Sequence, residues 1–338
     1  MAPEVKETEL AVSYFNAHNS ICGHQVQMVT DDDQGDPATS LSLARQLVAQ
    51  GVKIMFNPSL GPSQVTIQPY LMSQKMLIIG ISGTPTFLDP ATNPSFFSVL
   101  PSDNQYDQGT INYIKAKGWN NLGILTDGTP DGTSQASFTQ KDAVAAGLTV
   151  SKTVTYSPTA VDLTPQLEQL KAAGAQVVVP VGYSDITALA SSMKSLGWPQ
   201  ETVSGGAYLD FFVQPTQLPA GTVDGCDVGL PPGSTSLSSL GQPLETLLPE
   251  AAAALPNAST FGIWQIYNQL LVAKAAVEKA GSLNSDALIS ATESLSNLPT
   301  DWPGVALTFT ASNHTGWPKP IPMCQLTLGP DKVPVLAS

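Results

Sequence analysis

Residues 51–85 read GVKIMFNPSLGPSQVTIQPYLMSQKMLIIGISGTP, and this stretch decides the fold. Its apolar run at 52–56 is short and nearly continuous, which is typical of a parallel strand buried on both faces. Turn residues, an imperfect apolar stripe and a second apolar run at 76–81 follow. The stretch therefore predicts a strand–turn–helix–strand unit in which Ser63 caps the helix and Pro69 kinks or delays it.

Small polar residues follow both predicted strands. They are Ser59, Gly61 and Ser63 after the first strand, and Ser82, Gly83 and Thr84 after the second. Parallel strands place their carboxyl ends at one edge of the sheet, where open α/β sheets bind ligands. These residues are candidate ligand contacts, and ordinary turn residues are the alternative interpretation.

A second copy of the pattern favours ligand binding. Residues 174–184, GAQVVVPVGYS, again give a glycine, a buried strand and a turn, and a helix at 185–196 follows with Gly197 at its end. A further short run ends in SGGAY at 204–208. The sequence thus predicts an α/β fold with two doubly wound parallel-sheet lobes.

Length and three extended segments indicate how the lobes are joined. The chain has 338 residues, and single cores seldom exceed about 250–300 residues. Extended segments at 101–104, 223–230 and 321–325 are interpreted as a three-segment hinge. We predict a first lobe of residues 1–103 plus 228–320 and a second of 104–227 plus 321–338.

Other segments carry more local predictions. Residues 25–30 are expected to form a strand, and Asp36 to cap a helix that opens at Pro37. The stretch TDGTPDGTS at 126–134 is interpreted as a glycine-rich loop before a helix at 135–146. It lacks the glycine spacing of dinucleotide sites and of P-loops, so no nucleotide site is predicted there.

Charge and composition exclude several functions. A net charge of −13 leaves no basic patch for nucleic acid or an anionic membrane surface. The acids at 31–33 lack calcium-loop spacing and the cysteines lack zinc spacing, so neither a metal nor a cofactor is expected. No nucleophile and base can be assigned, so an enzyme is not expected.

The chain has three cysteines. Cys226 and Cys324 both fall on predicted crossing segments, and we predict that they form a disulfide. Cys22 is then unpaired. Buried free cysteines are the alternative.

Several pieces of the chain carry a family resemblance. They are ELAVSYFNAH at 9–18, VTDDDQGDP at 29–37, GPSQ at 61–64, ISGTP at 81–85, VVVPVGYSDI at 177–186 and AVEKAGSLNSDAL at 276–288. In order and spacing they resemble the type I periplasmic solute-binding proteins of ABC importers, specifically the branched-chain amino acid (Leu/Ile/Val) binding family. The resemblance covers nearly the whole chain, although the family's first strand is absent before Pro3.

The resemblance implies a ligand site between the lobes. First-lobe contacts would be the six strand-end residues from Ser59 to Thr84 named above, and second-lobe contacts would be Asp131, Tyr183, Ala207 and Tyr208. Ala207 or Tyr208 stands where amino-acid binders carry the acid that pairs with the ligand ammonium. Asp131 or Asp210 could substitute for that acid, but the departure favours a ligand without an amino group.

The resemblance also implies a function and partners. We expect a monomeric solute-binding protein that closes over a small polar organic ligand, a carboxylate with an aromatic body or a branched-chain amino acid. An ABC importer permease is the expected protein partner, and the expected location is the periplasm or cell surface, with lipid anchoring left open and no export signal in the sequence. A ligand-sensing regulator or receptor ectodomain of the same fold is the alternative.

Overall fold

The computed structural model describes residues 3–57, 62–182, 186–204, 217–219, 221–225, 247, 250, 253–254, 261–300, 305–317, 321, 323–328 and 334–336. The chain divides into two compact units. The first contains Met1–Ser102, Gly241–Pro256 and Gly262–Pro318, and the second contains Asp103–Leu240, Asn257–Phe261 and Lys319–Ser338. The lobe boundaries predicted at 227 and 320 lie outside the described residues, so the predicted lobe assignment and hinge stay predictions.

The described elements follow one another in this order. The helices are α1 Pro3–His18, α2 Pro37–Ala49, α3 Pro62–Ser73, α4 Asp103–Ala116, α5 Pro130–Ala145, α6 Thr164–Ala172, α7 Ile186–Leu196, α8 Phe261–Ala280 and α9 Ser285–Glu293. The strands are β1 Ile54–Asn57, β2 Leu77–Gly80, β3 Phe96–Ser98, β4 Asn121–Thr126, β5 Thr149–Thr155, β6 Val177–Val181, β7 Thr202–Val203, β8 Thr222–Gly225, β9 Leu298–Pro299, β10 Ala306–Leu307, β11 Met323–Leu328 and β12 Pro334–Leu336.

The first unit contains the parallel sheet β1-β2-β3. Ile54 lies opposite Leu77, and Ile78 lies opposite Phe96. All four residues of β2 are buried, as a central parallel strand covered on both faces requires. The strand–helix–strand unit predicted from residues 51–85 is therefore confirmed.

The predicted helix cap at Ser63 is wrong, and so is one of the two effects predicted for Pro69, a delayed start of the helix. The helix α3 begins at Pro62, so Ser63 lies inside its first turn and is not the residue that precedes it. Proline suits a first helical position because its missing N–H has no intrahelical partner there. The helix also continues through Pro69 to Ser73, so Pro69 does not delay it.

The strand predicted at 25–30 is absent, since these residues have no ladder partner among the described strands. The side chain of Asn16 instead takes the place of a neighbouring strand. Its Nδ2 donates to the carbonyl of Val26 and its Oδ1 accepts from the amide of Val26, both at 2.8 Å. Side-chain bonding satisfies the backbone without forming a sheet.

The second unit contains a mostly parallel sheet whose described strand order is β12-β11-β8-β7-β6-β4-β5. The strands from β8 to β5 pair in parallel, and β11 is antiparallel to β8. In β6, Val178 packs into one core while Val177 and Val179 pack into the other. A strand buried on both faces identifies an α/β layer architecture, so the predicted fold class is confirmed.

The cysteines are partly described. Cys324 on β11 is disulfide-bonded, and Cys22 is a free, exposed thiol. Cys226 lies outside the described residues, so its pairing with Cys324 stays a prediction. Of the helices that the structure describes, none has both the length and the apolar character needed to cross a bilayer.

Candidate functional site

In the first unit, the predicted contacts after β2 form one short loop. The Ser82 side chain is buried and its Oγ accepts from the amide of Thr84 at 3.2 Å, so Ser82 holds the loop in shape. Gly83 and Thr84 are half-buried and can be reached from outside. The residue before this loop is Gly80, where a Cβ would lie 2.4 Å from the Phe96 ring. A glycine is therefore needed at this position.

Ser63 is placed at the start of α3, but its hydroxyl is already bonded. It is buried and accepts from Ser40 Oγ at 2.9 Å, while Ser40 also bonds Asp33. Asp33 therefore connects the acidic turn to α2 and α3. Asp36 accepts from the amide of Thr39 at 2.7 Å, which confirms the predicted helix cap.

The other predicted contacts are only partly visible. Ser59, Gly61, Tyr183, Ala207 and Tyr208, and the substitute acid Asp210, lie outside the described residues. The backbone of Asp131 lies in the first turn of α5, and its side chain is not described. The structure thus brings Ser82, Gly83 and Thr84 together, and the remaining assignments stay predictions.

In the second unit, Asp127 organises the turn after β4, a role that the sequence did not reveal. Its buried carboxyl Oδ1 accepts from the amide of Thr129 at 3.1 Å and from Thr129 Oγ1 at 2.7 Å. Thr129 then caps α5 by accepting from the amide of Gly132 at 3.0 Å. The prediction of a loop up to residue 134 is therefore wrong, because a capping threonine and a first-turn proline start the helix at Pro130.

Two glycines pack against the Asp127 carboxyl group. A Cβ on Gly132 would lie 2.1 Å from Asp127 Oδ1, and a Cβ on Gly182 would lie 2.4 Å from Asp127 Cγ. Gly182 also has φ of +108°, which other residues adopt only with strain. The ends of β4 and β6 are thus held in contact by a buried carboxyl group between glycines.

Beside Gly182 is a small cavity of about 20 Å³, which we call the Asp107 pocket. Its lining residues are Asp103, Tyr106 and Asp107 of α4, Gln135 and Thr139 of α5, Val179, Pro180 and Val181 of β6, Gly182 and Ser204. Gln135 Oε1 accepts from the amide of Gly182 at 3.2 Å, which fixes one side of the rim. Of these lining residues, two are acidic and none is basic.

Asp107 is a buried acid whose pKa is strongly raised. The pKa of Asp107 is raised to about 7, chiefly by burial. A 2.7 Å hydrogen bond from Thr139 Oγ1 to Asp107 Oδ1 lowers the pKa, and the negative charge of Asp142 adds to the rise. Near neutral pH the group therefore exists in both its protonated and its ionised form. A sequence signal existed, since Asp107 shares a helical face with the buried Ile111 and Ile114.

Where the structure is described, no group of three or more histidine, cysteine or acidic side chains could hold a metal ion. Both units present instead polar loops at the carboxyl ends of parallel strands. That geometry defines a binding fold of the open α/β class.

Comparison with known proteins identifies the family. Residues 2–326 match the periplasmic binding protein family, and the chain belongs to it. This family consists of binding proteins that are not enzymes, as the sequence predicted. The family resemblance inferred from the sequence is therefore confirmed.

Individual curated relatives match the chain over only part of its length. The Leu/Ile/Val-binding protein homolog 2 of Brucella abortus (strain 2308) is 30% identical over 183 residues, which are 50% of this chain and 46% of the relative. The chain thus spans about half the length of the curated relatives that it matches.

Two solved structures share the fold along nearly the whole chain. An ABC transporter solute-binding protein from R. palustris, in complex with 4-hydroxybenzoate, is 16% identical with a TM-score of 0.75 and coverage of 100% of this chain and 92% of that one. Another, from Rhodopseudomonas palustris BisB5 in complex with 3,4-dihydroxybenzoic acid, is 14% identical with a TM-score of 0.74 and coverage of 98% and 91%. At sequence identities this low, the comparison shows that these two proteins share the fold of this chain and nothing more.

Proposed function

We propose that this chain is the solute-binding component of an ABC importer and that it captures one small organic carboxylate with an apolar body. The observation that carries the proposal is the family match over residues 2–326, which includes segments of both units. The permease partner, the location outside the cytoplasm, the interlobe cleft and hinge closure belong to the same proposal.

The first unit offers groups suited to a carboxylate. The loop at Ser82, Gly83 and Thr84 supplies the backbone amide of Gly83 and the hydroxyl group of Thr84, both half-buried, at the end of β2. The neighbouring strand β1 leads toward α3, and the amino end of a helix attracts anionic oxygens through its unpaired N–H groups. Because hydrogen bonds from neutral donors to a carboxylate are charge-assisted, these groups favour an acid over a sugar.

The apolar body of the ligand is inferred from residues that the structure does not describe. Tyr183 and Tyr208 have flat faces with a polar tip, which suit an aromatic or branched hydrocarbon. The hydroxybenzoate complexes of the two structural neighbours support an aromatic acid, and the Leu/Ile/Val-binding relative supports a branched-chain amino acid. Without an acid at position 207 or 208, we favour a ligand that has no amino group.

A thermal-shift screen tests the proposal. We expect aromatic acids to raise the melting temperature in proportion to their affinity, since a ligand at a hundred times its Kd stabilises the native state by about 2.7 kcal/mol. Mass spectrometry of the ligand after incubation should show it unchanged, as a binding protein requires. Turnover of any acid, or the absence of a shift with aromatic acids and branched-chain amino acids alike, would refute the proposed function.

A further inference from the structure

We propose that the Asp107 pocket is a subsite for one hydroxyl group of the ligand, with the Asp107 carboxyl group as the hydrogen-bond acceptor. This inference rests on the proposed function and narrows the ligand to a hydroxylated organic acid. It is carried by the size of the cavity, the chemistry of its lining and the incomplete hydrogen bonding of Asp107.

The size of the pocket limits what can enter. A cavity needs at least about 10–15 Å³ to accept one water molecule, and the Asp107 pocket has about 20 Å³. That space suits a single oxygen-sized group and excludes a ring. The pocket therefore fits a substituent on the ligand, with the ring left outside.

The hydrogen bonding of Asp107 is incomplete within the described part of the chain. The side chain is nine-tenths buried, and the hydroxyl of Thr139 is the one described donor to it. A carboxyl group has about four acceptor positions, and buried polar groups normally fill them. A second donor is therefore expected at Asp107 when the site is filled.

The lining of the pocket favours a ligand group that donates a hydrogen bond over a group that can only accept one. Asp103 and Asp107 both line the cavity, and none of its described lining residues is basic. A carboxylate or phosphate there would be repelled by the ionised Asp107 carboxyl group. The acid group of the ligand must therefore bind outside this pocket.

A neutral hydroxyl fits better than an ammonium group. Burying an ion pair removes hydration from two charges, and a cavity of about 20 Å³ cannot hold an ammonium together with replacement water. A hydroxyl costs far less to desolvate. Thr139 already shows that a hydroxyl donor reaches Asp107 in this environment, at 2.7 Å.

The pocket is also built to keep its shape. Gln135 bonds the amide of Gly182, and Gly182 packs against the Asp127 carboxyl group. The acceptor and the rim are thus fixed by α4, α5 and β6. A preorganised acceptor discriminates between ligands because a ligand without the hydroxyl leaves a buried polar group unpaired.

Calorimetric titration of the full chain with 4-hydroxybenzoate and benzoate tests the subsite. At pH 8 Asp107 is mainly ionised and a hydrogen bond to it is charge-assisted, so we expect 4-hydroxybenzoate to bind at least about tenfold more tightly than benzoate. In Asp107→Asn the amide offers a donor in place of an acceptor oxygen, and the ratio should fall to within about threefold of unity. Thr139→Val, which removes the group that orients Asp107, should reduce the ratio in part.

Matched controls separate the subsite from general damage. Thr133→Val makes the same change at an exposed residue of α5, and Glu168→Gln neutralises an exposed acid of α6 outside the pocket. Both should keep the wild-type ratio, and circular dichroism should show that every variant is folded. Benzoate affinity should change little in Asp107→Asn, because benzoate does not enter the pocket.

The outcomes distinguish the two proposals. Benzoates that bind with the same ratio in wild type and Asp107→Asn would overturn the subsite and leave the proposed function standing. Failure of all the acids and of leucine to bind would overturn both. A lost preference in Asp107→Asn, with the controls unchanged, would support the subsite.

Discussion

Replacing Asp107 with asparagine should stabilise the protein at pH 8 and leave its stability at pH 4 almost unchanged. The pKa of Asp107 rises from 3.8 to about 7 on folding, chiefly because the side chain is buried. The folded state therefore holds the proton more tightly than the unfolded state. The stability that this proton provides is fully present below pH 3.8 and is lost as the pH rises through about 7.

The magnitude follows from the shift. Each pKa unit corresponds to about 1.36 kcal/mol. The rise from 3.8 to about 7 therefore means that ionisation of the buried Asp107 lowers the free energy of unfolding by up to about 4 kcal/mol at pH 8. Asparagine has nearly the same shape, stays neutral and keeps an oxygen for the Thr139 hydroxyl. The variant should therefore avoid most of that cost without creating a cavity.

Urea unfolding followed by circular dichroism between pH 4 and pH 8 measures the effect. The difference in free energy of unfolding between Asp107→Asn and wild type should grow with pH and level off above about 7. Asp142→Asn, on the neighbouring helix, should give a much smaller change. A difference between Asp107→Asn and wild type that is constant across the pH range would refute the reasoning.

Four further predictions concern other residues. Gly182→Ala should lower the free energy of unfolding more than Gly147→Ala in urea titrations. Both glycines have positive φ, but only at Gly182 would the new Cβ meet a neighbour, the Asp127 carboxyl group. Equal losses of stability in the two variants would contradict this. His314, whose pKa is lowered by burial, contributes stability that is present above its unfolded pKa and lost as the pH falls. His314→Asn should therefore flatten the acid side of the stability profile, and an unchanged profile would contradict this role. Thiol titration of the unreduced chain should find one reactive cysteine, Cys22, and none in Cys22→Ser; three thiols would disprove the disulfide at Cys324. Tyr183→Ala should weaken ligand binding by about 1–3 kcal/mol, the value of burying such a side chain, with the fold intact by circular dichroism.

The parallel-sheet architecture could be predicted because strands buried on both faces require nearly continuous apolar runs. Residues 76–81 and 177–181 carry that signal in the sequence, and both contain strands at the expected places. Residues 25–30 show the limit of such reasoning. A short apolar alternation is compatible with a strand, but pairing depends on a neighbour, and the side chain of Asn16 satisfies that backbone instead.

The buried polar residues of the second unit could not be predicted from the sequence in the same way. Asp107 and Asp127 are acids in a chain that carries many, and their burial depends on packing between elements far apart in sequence. Thr139 and Gly182 lie 32 and 55 residues from their respective partners. The start of α5 is different, because its capping threonine and first-turn proline are present in the sequence, but the glycines around them also fit a loop.

Calorimetric titration of the purified full chain with 4-hydroxybenzoate, and in parallel with leucine, tests the central claim most directly. The account predicts saturable binding of the aromatic acid to one site per chain, at least as tight as that of leucine. Micromolar binding of leucine with no response to 4-hydroxybenzoate or benzoate would contradict it.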